Sequence, residues 1–149
     1  MPKERFKLIA SVYLVLMKDN KILLSRRYKT GYFDGSYSFP AGHLDEAETL
    51  KQGMVRETKE EIGIAVKPED LRLVHVMNRN IPKDERLDFF FTAEKWEGEP
   101  KNMELDKCDD LSWFELNNLP KNIIPYIRQA IDSILNNNIY SEREGREVI

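Results

Sequence analysis

A chain of 149 residues has room for one core, so residues 1–149 are expected to form a single domain with a polar tail from about residue 136. With 41% apolar and 33% charged residues it can bury that core and keep a charged surface, which excludes global disorder. A net charge of -3 excludes a broad electrostatic footprint for duplex nucleic acid or an anionic membrane, and the lone Cys108 excludes an internal disulfide and fits a reducing cytoplasm.

The apolar run Leu8 to Met17 is far shorter than the ~20 residues a membrane helix needs. With the polar turn Lys18 to Lys21 and the run Ile22 to Leu24 it predicts a β-hairpin. Tyr28 to Tyr37 is rich in Gly, Tyr, Asp and Ser and reads as a surface loop, in which Tyr32, Phe33 and Tyr37 could stack on a planar ligand or simply pin the loop. Ser38 to Pro40 is a short extended piece, and Ala41 to Glu48 is expected to be a polar loop.

Thr49 to Glu61 predicts a helix stopped by Gly63. Strands are expected at Leu71 to Met77, Leu87 to Trp96 and Leu111 to Phe114, then an amphipathic helix over Ile123 to Leu135 whose stripe faces the core. The tail from Asn136 is expected to fray. Helices interleaved with several strands predict a mixed α/β domain, of the α+β type, with a sheet between helices.

The first helix carries the chemistry. Glu57, Glu60 and Glu61 stand at i, i+3 and i+4, within one arc of the helix surface. An acidic run of this kind is often a solvated face, but Glu61 projects close to Leu50 and Met54, the residues expected to face the core. Like charges so placed raise one another's pKa, and a hard divalent cation that accepts several carboxylate oxygens turns the repulsion into binding. Gly53 costs ~1 kcal/mol relative to Ala in mid-helix, which a close approach of the helix to a sheet or loop would explain. Arg56 could hold one of the carboxylates or a nearby carbonyl.

Gly42 to Glu48, then seven residues, then Arg56-Glu57-Thr58-Lys59-Glu60-Glu61-Ile62-Gly63-Ile64, resembles the Nudix box. Every fixed Gly, Glu and Arg of that box is matched, at a spacing that chance would produce in well under ~1 in 10⁵ chains of this length. The one departure is Thr58, where the box has an aliphatic residue; altered packing is expected there, with the chemistry kept.

The resemblance implies an α/β/α sandwich with a mixed sheet between helices, and a small enzyme that hydrolyses a diphosphate bond in a nucleoside-diphosphate-linked substrate. It implies Mg²⁺, or Mn²⁺, held by Glu57, Glu60, Glu61 and the Gly42 carbonyl, with Arg56 as part of the catalytic constellation. Glu48 would buttress the loop. Glu60 or Glu61 is the first choice for general base, with Asp109 or Asp110 behind. Hard Mg²⁺ favours oxygen, so His43 reads as a loop residue, and His75 on its strand has no nameable partner. For substrate phosphates the sequence points to Arg26, Arg27 and Arg79, and for a planar group to Tyr32 and Phe33.

The substrate expected is a nucleoside triphosphate, oxidised ones included, cleaved to monophosphate and pyrophosphate. Markers for ribose-linked or dinucleoside substrates are not seen downstream of the box, where Pro82 comes late. The alternatives are an ADP-ribose or nucleotide-sugar pyrophosphatase and a non-catalytic nucleotide-binding module. No membrane or duplex nucleic-acid partner is expected, and the sequence leaves the oligomeric state and the number of metal ions open.

Overall fold

The computed structural model describes residues 3–146. Strand β1 (Ile9–Leu14) is apolar except at Ser11, and Ser11 to Leu14 are buried because both faces of that stretch are covered. Val12 and Leu14 point into one core with Met54 and Ile62, while Tyr13 points into the other with Ile127 and Ile131. All of these are under 5% exposed, and each such aliphatic side chain contributes about 1.5–3 kcal/mol by leaving water.

β1 belongs to a five-stranded mixed sheet. Its neighbours are β5 (Ala41–His43), which is antiparallel to it, and β7 (Arg86–Ala93), which is parallel. β7 pairs antiparallel with β6 (Leu71–Asn80), and β6 pairs parallel with β9 (Tyr140–Glu144) at the far edge. A second sheet joins β2 (Met17–Lys18), β3 (Lys21–Arg27), β4 (Tyr37–Ser38) and β8 (Cys108–Glu115), with β8 along β3. Helix α1 (Leu50–Ile62) covers one face of the large sheet and α2 (Pro125–Leu135) the other, giving the expected α/β/α sandwich. Among the described residues no helix is long and apolar enough to cross a membrane.

Three expectations are corrected. The predicted hairpin is real only between β2 and β3, where Asp19 and Asn20 at φ 53° and 62° form the left-handed pair that such two-residue turns require. The preceding run divides after Leu14, and β1 pairs in the other sheet. Ala41–His43 is not loop but strand, because its backbone completes the edge beside β1. Most of the polar tail is ordered: β9 alternates exposed and half-buried residues along β6, a pattern too short and too charged to stand out in sequence. The end of that tail, residues 147–149, lies outside the described residues.

Candidate active site

Helix α1 begins at Thr49, whose hydroxyl accepts the Gln52 N–H while the Gln52 side chain accepts the Thr49 N–H, a reciprocal capping box. It ends at Gly63, left-handed at φ 71°, whose N–H bonds the Lys59 carbonyl. Between these caps Gly53, Met54, Thr58 and Ile62 are buried. Glu57 and Glu61 therefore flank the buried stripe, and Glu60 points outward with its side chain 53% exposed.

Two glycines let β5 and the loop after it lie directly on this helix. A Cβ on Gly53 would meet Leu44 Cδ2 at 2.4 Å, which is the close helix-loop approach expected for that residue. A Cβ on Gly42 would lie 2.0 Å from Glu57 Cδ. One step along β5, the Ala41 N–H donates to Glu61 Oε2 at 2.9 Å. Burial, only partly offset by that bond, pushes the Glu61 carboxyl up to about 8, and burial raises Glu57 as well.

Arg56 ties the assembly together. Its Nε and Nη2 donate to the two carboxylate oxygens of Glu48 at 2.7 and 3.0 Å, and Nη2 also reaches the His43 carbonyl at 3.0 Å. Its Nη1 donates to Glu57 at 2.7 Å and to Glu60 at 3.2 Å. The guanidinium beside Glu48, together with the Asp45 N–H, holds that carboxyl down at about 2. Glu48 thus fastens the loop to the helix and is not turned to the cleft.

The cleft in front of these groups has a volume of about 840 Å³, within the range of small-molecule sites. Gly42, Glu57, Glu60 and Glu61 line it. A fourth carboxylate faces them: Glu104, in the segment between β7 and β8, lines the same cleft, and its charge raises both Glu57 and Glu61. That segment is fastened to the helix end, because Met103 N–H donates to the Glu61 carbonyl at 3.0 Å and Lys101 N–H to the Ile62 carbonyl at 2.9 Å.

The family model for the NUDIX domain matches residues 6–134. The chain belongs to the Nudix family. An ADP-ribose pyrophosphatase of Methanocaldococcus jannaschii is 36% identical over 107 residues, 72% of this chain, and the match spans 62% of that protein's length. An 8-oxo-dGTP diphosphatase of Escherichia coli K12 is 31% identical over 111 residues, 74% of this chain and 84% of the relative. The crystal structure of a MutT NUDIX hydrolase from Burkholderia pseudomallei superposes with a TM-score of 0.77 at 26% identity, covering 85% of this chain and 98% of that one.

Among the described residues no three His, Cys, Asp or Glu side chains already converge as a coordination sphere. Glu60 and Glu57 lean on Arg56, as like-charged neighbours do when the nearest cation is a guanidinium. The donor set nevertheless fits a hard divalent ion: three carboxylates of the Nudix box and the backbone of Gly42 are all oxygen donors, and the missing Cβ keeps that backbone against Glu57.

The residues picked from sequence for substrate divide. Arg26, Arg27, Tyr32 and Arg79 line the cleft. Arg26 is held by Asp109 at 2.7 Å, and Arg27 by the Tyr32 carbonyl at 2.6 Å and the Thr30 hydroxyl at 3.0 Å. Arg79 is 4% exposed and paired with Asp88 at 2.6 Å, its guanidinium 3.8 Å from the Tyr126 ring centre, so it braces the cleft floor more than it reaches out.

Phe33 is corrected: it is 7% exposed, sits in the core with Tyr37, and pins its loop in place of stacking on a ligand. Asp109 and Asp110 are turned to Arg26 and to the Tyr37 and Ser112 hydroxyls. His75 does have partners, with Nδ1 2.7 Å from the Asn138 carbonyl and Nε2 2.7 Å from Ser141 Oγ. Glu104 carries no signal in the sequence, because it stands alone in a turn where no periodicity marks it.

Proposed function

We propose that the chain hydrolyses a diphosphate bond in a nucleoside-diphosphate-linked substrate, with Mg²⁺ or Mn²⁺ as the metal. The observation that carries this reading is the seating of Glu57 against the Gly42 backbone and of Glu61 on the Ala41 N–H, with Glu60 beside them at the wall of a ligand-sized cleft. Glu57, Glu60, Glu61 and the Gly42 carbonyl would hold the metal, with Glu104 facing them. When bound, the metal neutralises phosphate charge and lowers the pKa of the attacking water.

The chain's own residues do the rest. Arg26 and Arg27 stand at the cleft wall with guanidinium groups suited to phosphate oxygens, and their ion pair and loop bonds fix them in advance of binding. Tyr32, 37% exposed beside Arg27, offers a ring face at the mouth. Glu60 is the first choice to take the proton from water, since it is the most solvent-facing of the three and only one of its oxygens meets Arg56. Arg56 positions the carboxylates through Glu48 and the His43 carbonyl.

The substrate we favour is a nucleoside triphosphate cleaved to monophosphate and pyrophosphate, supported by the match that spans most of the 8-oxo-dGTP diphosphatase. The second reading, ADP-ribose, is favoured by the higher identity to the archaeal ADP-ribose pyrophosphatase. Incubation with Mg²⁺ and a panel of triphosphates, oxidised purine triphosphates, ADP-ribose and nucleotide sugars, with products resolved by chromatography, decides between them. Pyrophosphate release from a triphosphate supports the first; AMP and ribose phosphate from ADP-ribose alone reverse it.

A further inference from the structure

The segment between β7 and β8 ends in a clasped turn at the cleft wall. The Asn102 side chain closes it from both ends, because Oδ1 accepts the Glu104 N–H at 3.0 Å and Nδ2 donates to the Cys108 carbonyl at 2.6 Å. Inside the turn the Lys107 and Cys108 N–H groups both donate to the Glu104 carbonyl at 2.9 Å. The Tyr28 N–H, one residue past the end of β3, donates to the Lys107 carbonyl at 2.9 Å. With the bonds from Lys101 and Met103 to the end of α1, the turn is fixed to the box helix on one side and to β3 on the other. Asn102, Glu104 and Lys107 all line the cleft.

Both charged side chains of this turn that line the cleft have work left to do. Glu104 acts through its charge on Glu57 and Glu61. Lys107, three residues on, is exposed and has no ion pair among the described residues. The neighbouring guanidinium groups are engaged: Arg26 by Asp109 at 2.7 Å, Arg27 by the Tyr32 carbonyl at 2.6 Å and the Thr30 hydroxyl at 3.0 Å, and Arg56 by Glu48, Glu57 and Glu60. Arg79 and Arg86, further along the lining, are paired with Asp88 and Asp84. Arg146 follows β9, at the sheet edge farthest from β5.

Charge says what the free ammonium meets. Glu57, Glu60, Glu61 and Glu104 place four carboxylates along one cleft, and a diphosphate brought there adds more negative charge. Arg26 and Arg27 are set in position by their partners, whereas an ammonium on a flexible four-carbon stem can follow a phosphate oxygen from a fixed base.

We infer that Lys107, carried by the Asn102-clasped turn, is a substrate-contacting residue whose ammonium neutralises the diphosphate beside the box carboxylates. This rests on the cleft being a diphosphate site.

The test is calorimetric binding of inorganic pyrophosphate to the full chain in saturating Mg²⁺, with Mg²⁺ alone titrated in parallel, for wild type, Lys107→Met and Lys107→Arg. Lys107→Met should bind pyrophosphate about tenfold more weakly, the loss of one charge-assisted hydrogen bond, and Lys107→Arg should recover most of that affinity. The Mg²⁺ affinity and Tm of Lys107→Met should not fall, because removing a cation beside a cation site adds no repulsion. Damage to the turn that carries Glu104 would lower both. Unchanged pyrophosphate affinity in Lys107→Met, an equal loss in Lys107→Arg, a fall in Mg²⁺ affinity, or no pyrophosphate binding by the wild type overturns the inference. Lys107-dependent pyrophosphate binding by a protein that hydrolyses no nucleotide would sustain it and remove the hydrolase reading instead.

Discussion

A Cβ atom on Gly42 would lie 2.0 Å from Cδ of Glu57, so strand β5 and the box helix meet through a bare α-carbon. No side chain fits there without moving either the edge strand or the carboxylate. Gly42→Ala is accordingly expected to fold, because Glu57 can swing away, but to lose Mg²⁺-dependent turnover by about 10²-fold. Steady-state kinetics beside a thermal melt check this; full activity in the alanine variant would show that the contact does not position Glu57.

Arg56 bonds Glu48 with two donors and reaches Glu57 and Glu60 with a third. A lysine keeps the charge but has no planar fork. Arg56→Lys should weaken Mg²⁺ affinity by about 10- to 100-fold, read by metal titration, with the Tm of the metal-free protein falling much less.

Glu61 is raised from 4.5 to about 8 by burial, so between those values the folded state holds a proton that the unfolded state has released. The stability of the metal-free protein should therefore fall as pH rises from about 4.5 to about 8, because the unfolded state binds fewer protons there. Glu61→Gln reduces this slope, leaving the part contributed by Glu57 and Asp88, which burial also raises. Urea melts across that range, run in chelator, measure it; a variant with the same pH slope as wild type would locate the effect elsewhere.

Thr58 is fully buried and its Oγ1 has no partner among the described residues. Thr58→Val keeps the shape and removes the hydroxyl, and should stabilise the fold by about 1 kcal/mol, a rise of a few degrees in Tm, with kcat unchanged. Thermal melts and steady-state kinetics on the same preparation check both halves.

How much of the molecule is legible in the chain tracks how local each cause is. The helix limits at Thr49 and Gly63 come from capping chemistry within a few residues, and the glutamate spacing from helical geometry, so both can be read directly. Pairing is not local: nothing in Ala41–His43 or Tyr140–Glu144 announces a strand, because each is defined by the backbone it lies beside. Arg79 and Phe33 have residue types that suit a ligand, but folding spends them on Asp88 and on the loop core. Glu104 acquires its significance only when the segment after β7 is fastened to the end of the box helix.

Whether the box glutamates perform a metal-dependent hydrolysis is decided by comparing wild type with Glu60→Gln/Glu61→Gln for Mg²⁺ binding and for product release from the preferred substrate. Both should fall together in the folded double variant, turnover by at least about 10²-fold. Wild-type turnover in that variant would contradict the assignment of the chemistry to these carboxylates.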